Sequence, residues 1–347
     1  MSSSDGEDDQ PSDQMRDRGA QSSWKLWFLM DANRIVVSGV FLAVVFVTMV
    51  VGATLNPTPA YALLTNGDPT DTLFNALVGS TITGVTLVLT LSQLVLSQEL
   101  GAAGDQRERM EGAMDFRRDA ASAAGIDVAP TEPSAFLRGL VEGTRDKAGR
   151  LADAVPDDDS DASDVVDTYV DDLTENADQV AAELEGAEFG EFDVVWAALN
   201  YNYSWKIYAG ERIRAEYGEA LSEDATEALA ELLDLLELFG PAREHFKTLY
   251  FQWELSDLSR VLLYAAVPAL AVAIFALVFF DPSNFPGHTL GVNHAVVVVS
   301  AATTVAVVPF VLLLAYILRI VTVTKRTLSI GPFILRKTSR SEDIEWN

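Results

Sequence analysis

Four long stretches of the chain carry no charged side chain: Ile35–Leu55, Leu73–Ser97, Val261–Phe280 and Ala295–Leu318. Their 21, 25, 20 and 24 residues, at about 1.5 Å of rise per residue, each cover a hydrocarbon core of about 30 Å. They are too long and too uniformly apolar for helices of a water-soluble core, and they predict four transmembrane helices. Between the second and third runs, residues 98–259 change character and read as helical throughout. Helix formers over Asp115–Ala124 run on from the second span until Gly125, Pro130 and Pro133 break them. Ser134–Val155 is the next helix, ended by Pro156, and Asp157–Asp161 is an acidic turn. Val165–Leu184 places Val165, Val166, Tyr169, Val170, Leu173, Val180 and Leu184 on one amphipathic face. Phe189–Tyr217 is rich in aromatic residues. Ser222 reads as an N-cap with Glu223 and Asp224 in the first turn, ahead of a core stripe of Leu229, Leu232, Leu233, Leu236 and Phe239. Gly240-Pro241 should kink or interrupt that helix, and Phe246, Leu249, Tyr250 and Trp253 then lead into the third span.

The pattern predicts an all-α integral membrane protein of four transmembrane helices, with a helical cytoplasmic domain inserted between spans 2 and 3. Its parts are a disordered acidic tail (1–23), a first hairpin (24–97), the inserted domain (98–259), a second hairpin (260–319) and a cytoplasmic tail (320–347).

Charge sharpens the picture. The 347 residues hold 51 Asp and Glu against 24 Lys and Arg, net −27, yet the mean hydropathy is +0.17. Residues 98–259 alone hold 38 acids and 13 bases. Only 6 of the bases are lysine. An acid-rich, lysine-poor surface suits a cytoplasm of molar salt, where the Debye length is about 3 Å and self-repulsion is screened. The expectation is a halophilic, haloarchaeal-type protein; the acids would otherwise form a cation-attracting vestibule or a dock for a basic partner. Neither Asn56–Thr72 nor Asp281–His294 contains a basic residue. Arg16, Arg18, Lys25 and Arg34 precede the first span, Arg107, Arg109, Arg117 and Arg118 follow the second, Arg260 opens the third, and Arg319, Lys325 and Arg326 follow the fourth. The positive-inside rule places both termini and the insertion in the cytoplasm of a cell-membrane protein. The acidic, Ser-rich start is not the basic region of a signal peptide, so no cleavage is expected.

With no cysteine and three histidines, thiolate chemistry is excluded and metal chemistry has few ligands. No catalytic, cofactor-binding or metal site is expected. His288 and His294 lie in or beside the last external loop, where the alternatives are a metal site and, favoured in the absence of further ligands, surface histidines; no span has an ionisable residue inside it, which argues against proton-coupled pumps. The aromatic residues Phe192, Trp196, Tyr201, Tyr203, Trp205 and Tyr208 read as a domain core, with Lys206, Arg212 and Arg214 paired to local acids; nucleic acid does not fit so negative a surface. Trp24, Trp27 and Phe28 beside Lys25 read as an interfacial anchor. Ala265, Ala269, Ala273 and Ala276 mark a close-packing face, with Pro268 and Pro309 as mild kinks. Asn202-Tyr203-Ser204 matches a glycosylation acceptor on the side where it would go unused.

The candidate functional face is in the second span. Gly79, Thr83, Thr86, Thr90, Gln93 and Ser97 follow spacings of 4, 3, 4, 3 and 4 and so share one side of a helix. The register continues through Gly101, Gly104, Glu108, Glu111 and Asp115. Such a face either lines a water-filled pore with the acids at its inner mouth, or forms a helix–helix seam that Gln93 crosses with a hydrogen bond.

This order of elements resembles the bestrophin-like channels, whose subunits place a cytoplasmic helical block between two pairs of spans and assemble in a ring. The resemblance implies a homo-oligomeric channel. Bestrophins line their neck with bulky apolar residues, where this chain has Thr83, Thr86, Thr90 and Gln93. The segment VGSTITGVTLVLTLSQLVLSQ (Val78–Gln98) also looks like a recurrent span of prokaryotic membrane proteins of unknown function. Two functions follow as expectations: a non-enzymatic oligomeric channel or pore lined by span 2, or a membrane-anchored interaction or sensory module whose helical domain binds a cytoplasmic protein.

Overall fold

A computed structural model describes residues 27–28, 32–56, 58–65, 68–156, 160–187 and 192–327. The acidic tail 1–23, Trp24 and Lys25, the acids at 157–159 and the tail beyond Thr327 lie outside them. Helices dominate: α1 (Arg34–Leu55), α2 (Ala60–Thr65), α3 (Pro69–Glu99), α4 (Ala103–Ala123), α5 (Pro133–Ala154), α6 (Asp161–Leu184), α7 (Phe192–Asn200), α8 (Tyr203–Tyr217) and α9 (Glu223–Phe279). A two-residue antiparallel ribbon follows, β1 (His288–Thr289) against β2 (Val292–Asn293), and then α10 (His294–Ala306) and α11 (Val308–Thr327). α1, α3 and α9 are long and apolar enough to cross a membrane, and α10 with α11 make a fourth span if the bent pair is counted as one. The chain divides into two compact units, residues 101–251 and residues 27–100 with 252–323.

In the first unit, α5 and α6 pack along their lengths. Leu137, Leu140 and Leu151 of α5 and Val166, Leu173 and Val180 of α6 are fully buried, as are Leu229, Leu232, Leu236 and Phe239 of α9. The amphipathic face read from the sequence is therefore the face that packs. Ser160 caps α6 by accepting the Ser163 N–H, and Ser222 caps α9 by accepting the Ala225 N–H. The aromatic segment is core in part: Tyr201 stands edge-on to Phe239 at 4.8 Å between ring centroids, and its hydroxyl bonds Thr144 at 2.6 Å. Phe192 and Tyr203 are buried too, Trp196 and Trp205 are half-buried, and Tyr208 is exposed. Arg212 pairs with Glu216 at 2.8 Å and Arg214 with Glu211 at 3.9 Å. Lys206 is buried, with its ammonium 5.4 Å from the centre of the Tyr201 ring.

Gly240-Pro241 does not interrupt α9, which is continuous from Glu223 to Phe279. The glycine sits where a Cβ would come within 3.0 Å of the Tyr203 ring, and the buried neighbours Phe239 and Ala242 hold the helix across the hydrogen bond that Pro241 cannot donate. Helix α3 does not run on into α4 either. Leu100 and Ala102 are extended, so the register of the second span ends at Glu99 and Gly101 lies in the break, where glycine disfavours helix.

In the second unit the alanine face of α9 is a packing seam: Ala273 and Ala276 meet Phe74 of α3 and Val299 and Ala306 of α10. Pro268 is exposed on α9 and does not break it. Pro309 does more than kink its span, since α10 and α11 meet at 46°. It occupies the second position of α11, where a missing N–H costs least. In the preceding loop Leu290 has φ 53° and Gly291 φ 81°, forming the tip of the ribbon.

Candidate functional site

The polar face of α3 is placed by what the opposite face does. Phe74 and Val88 are buried, and Leu77, Val78 and Val85 pack beside them against α9, α10 and α11. The Ser92 hydroxyl hydrogen-bonds Ser259 of α9. That is the seam α3 makes within its own chain. At 100° per residue, Thr86 and Thr90 each stand 160° away from Val88. Gly79, Thr83, Thr86, Thr90, Gln93 and Ser97 are accordingly all exposed. No hydrogen bond from this row crosses to another helix of the chain among the described residues. Leu87 and Leu94 on one flank and Leu89 and Leu96 on the other are exposed too, so the polar row runs between two leucine shoulders.

The hydroxyls on the row are spent locally. Thr83 donates to the Gly79 carbonyl, Thr86 to Ile82 and Thr90 to Thr86, each at 2.9 Å, and Ser97 donates to Leu94 at 2.7 Å. A hydroxyl whose proton is engaged by its own helix tolerates apolar surroundings and keeps an acceptor lone pair outward. Gln93 has no such local bond. Its amide is exposed and unpartnered among the described residues.

The sequence reading did not single out a second polar set in this unit. Glu254 is buried on α9, 3.7 Å from the Arg319 guanidinium of α11, and Asp257 accepts the Tyr316 hydroxyl at 3.0 Å. Arg319 also donates to the Ala32 carbonyl at 3.4 Å. These charges lie just outside the apolar runs, where Arg319 serves the sequence reading as a marker of orientation and Glu254 and Asp257 add only to the acid count. The spacing Glu254, Asp257, Ser259 on α9 was the available signal.

Elsewhere, the Glu231 carboxylate accepts from Lys147 at 2.6 Å, and that ammonium holds its pKa below the usual carboxylate value. Burial pushes the Lys247 ammonium down and the Tyr169 phenol up. An open hollow of about 510 Å³ between the end of α6 and α7 is lined by Glu183, Glu185, Asp193, Trp196 and Asn200. The carboxylate of Glu183 already accepts from the Asn200 amide at 2.9 Å. His294 is tied between the Pro286 carbonyl (2.9 Å) and the Thr289 hydroxyl (2.8 Å). No group of three or more His, Asp or Glu side chains suited to a metal ion occurs among the described residues.

A family model for a family of unknown function, DUF7972, matches residues 1–347. The chain belongs to the DUF7972 family. No curated protein and no solved structure matches it, so the likeness to bestrophin-like channels in the order of elements gains nothing from these comparisons. In this DUF7972 chain an exposed amide, Gln93, lies in the last two turns of a helix able to span a membrane.

Proposed function

We propose that the protein is a non-enzymatic, multi-pass cell-membrane protein that assembles with copies of itself into a pore lined by Thr83, Thr86, Thr90 and Gln93 of α3. The observation that carries this reading is Gln93. An amide facing hydrocarbon without a partner costs several kcal/mol, and Gln93 points away from every helix that α3 packs against in its own chain. In this reading its surroundings are another copy or water. The leucine shoulders support an arrangement in which flanks pack between copies and the polar row faces an axis. Both termini and residues 98–259 are cytoplasmic in this proposal, on the strength of the lysine and arginine distribution. The acid excess supports a halophilic setting.

A second reading, a membrane-anchored interaction module, is favoured by the separate compact unit over residues 101–251 with its own core. Flux separates the two. In vesicles containing the purified protein, an ion gradient should dissipate, and Thr86→Trp should block that flux while the oligomer persists. Wild type that is folded and oligomeric but carries no ion under any gradient or potential would retire the pore and leave the module.

A further inference from the structure

The polar row of α3 does not begin at Gly79. Thr72 and Asn75 precede it at spacings of 3 and 4 and are exposed on the same side of the helix. Asn75 stands 18 residues before Gln93, which at about 3.6 residues per turn is five whole turns and about 27 Å of rise. The two amides therefore point the same way from opposite ends of the second apolar run. Neither makes a hydrogen bond within the chain among the described residues. Along the row the hydroxyl protons are already engaged. Thr72 donates to the Asp68 carbonyl at 2.9 Å, and Thr83, Thr86, Thr90 and Ser97 likewise donate to carbonyls of α3. Such a hydroxyl turns oxygen lone pairs outward. The charge around the row has a matching sign. Residues 68–99 include Asp68, Asp71 and Glu99 and no Lys, Arg or His, and Asp71 is exposed one turn before Asn75.

We infer that the pore passes monovalent alkali cations, and that Asn75 of each copy contributes to a second ring of amides at the end of the row away from Gln93. The inference rests on the pore proposed above and names what moves through it. An anion needs donors or bases along its path, whereas a cation is solvated by oxygen lone pairs and drawn in by acids at the mouth. The row supplies the second set: its hydroxyls have their protons engaged by the helix, and only the two amides offer N–H groups. Divalent ions are a poor match. Calcium and magnesium are held through carboxylates, and magnesium keeps several of its waters, but no carboxylate lies between Asn75 and Gln93 on α3. In molar salt the Debye length is about 3 Å. There the selection falls to the oxygens lining the path, and the acids of the loops matter less.

The full-length protein in planar bilayers, under salt gradients of molar strength, should pass K⁺ at least about fivefold more readily than Cl⁻ or Mg²⁺, read from reversal potentials. A smaller ratio against either ion would overturn the inference. The chain contains no cysteine, so Asn75→Cys supplies a single thiol for a second measurement. A positively charged methanethiosulfonate should reduce the K⁺ current of this variant, and should react at least about tenfold faster than a negatively charged one of similar size. A current that neither reagent alters would place Asn75 off the path, and equal rates would show no charge preference at that level; both results count against the inference. The outcomes also separate it from the reading it rests on. Folded, oligomeric wild type that carries no ion removes the pore and the selectivity together, whereas flux that prefers Cl⁻ or does not discriminate removes only the selectivity.

Discussion

Replacing Gln93 with leucine gives a different result for each surface the side chain could meet. The substitution keeps approximate volume and removes only the amide, and no hydrogen bond within the chain is lost because Gln93 makes none among the described residues. If the amide crosses between copies, the loss is one interhelical hydrogen bond, averaging about 0.6 kcal/mol and reaching about 1.7. That weakens self-association by about threefold, and by about eighteenfold at most. If the amide lines water, association stays within about threefold, while a ring of leucines at that level favours dewetting and lowers flux. The pore reading expects this second pattern. Thr90→Val is the control for association, since the Thr90 hydroxyl already gives its proton to the Thr86 carbonyl at 2.9 Å and has little to lose. Association is measured by energy transfer between labelled copies as the vesicles are diluted with lipid, and flux on the same preparation. Should Gln93→Leu leave both association and flux unchanged while raising the unfolding temperature, the side chain faces lipid and the reasoning from its exposure is refuted.

Three further outcomes test the structure away from this face. Gly210→Ala should destabilise the first unit by about 1–3 kcal/mol in a denaturant titration, because the new Cβ would stand 2.8 Å from Leu233 Cδ2 and 2.9 Å from the Tyr169 hydroxyl, which bonds the Lys206 carbonyl at 3.0 Å. Glu231→Gln should cost at most about 1 kcal/mol near neutrality: the carboxyl's folded pKa is depressed by Lys147, so its contribution is present above its unfolded pKa and fades as pH falls through the folded one, and a gap between variant and wild type that does not shrink as the solution is acidified would contradict the pairing. Leu290→Asn should raise the unfolding temperature of the full chain, since the left-handed φ of 53° costs leucine about 1–2 kcal/mol and asparagine less; a fall would show that Leu290 makes a contact worth more than the strain.

The sequence announced what periodicity controls. The apolar run Ile35–Leu55 became α1 at Arg34–Leu55, and Val166, Tyr169, Val170 and Leu173 are buried along α6 as their spacing requires. It misled at glycine and proline, where local propensity competes with packing. Pro241 is absorbed because Phe239 and Ala242 on either side are buried, while Pro309, at the start of a fresh helix, stands beside a 46° break. Across the Gly101 break between α3 and α4 the sequence pattern reads as continuous helix, because the register of Gly79 to Ser97 continues through Gly101 and Gly104. The row from Gly79 to Ser97 was visible as one side of a helix, but a spacing does not say which side is turned to the chain's own core. Only Phe74 and Val88 on the far side decide that.

The polar groups of the second unit can be sorted by where their bonds end. Ser92 bonds Ser259, Asp257 takes the Tyr316 proton, and Glu254 faces Arg319: these link α3 to α9 and α9 to α11, and each compensates the burial of its partner. Thr83, Thr86, Thr90 and Ser97 end on carbonyls of their own helix, so they would be tolerated against lipid, against protein or in water alike. A row of self-satisfied hydroxyls therefore identifies no environment. The amide of Gln93 removes that ambiguity, because it has two donors and an acceptor that the α3 backbone around it does not engage. Its position between Leu89 and Leu96 on one flank and Leu87 and Leu94 on the other then limits what supplies the partners: a second helix close enough to cover the leucines, or water that those leucines shield from lipid. In the assembly proposed above, further copies of the chain would supply either arrangement.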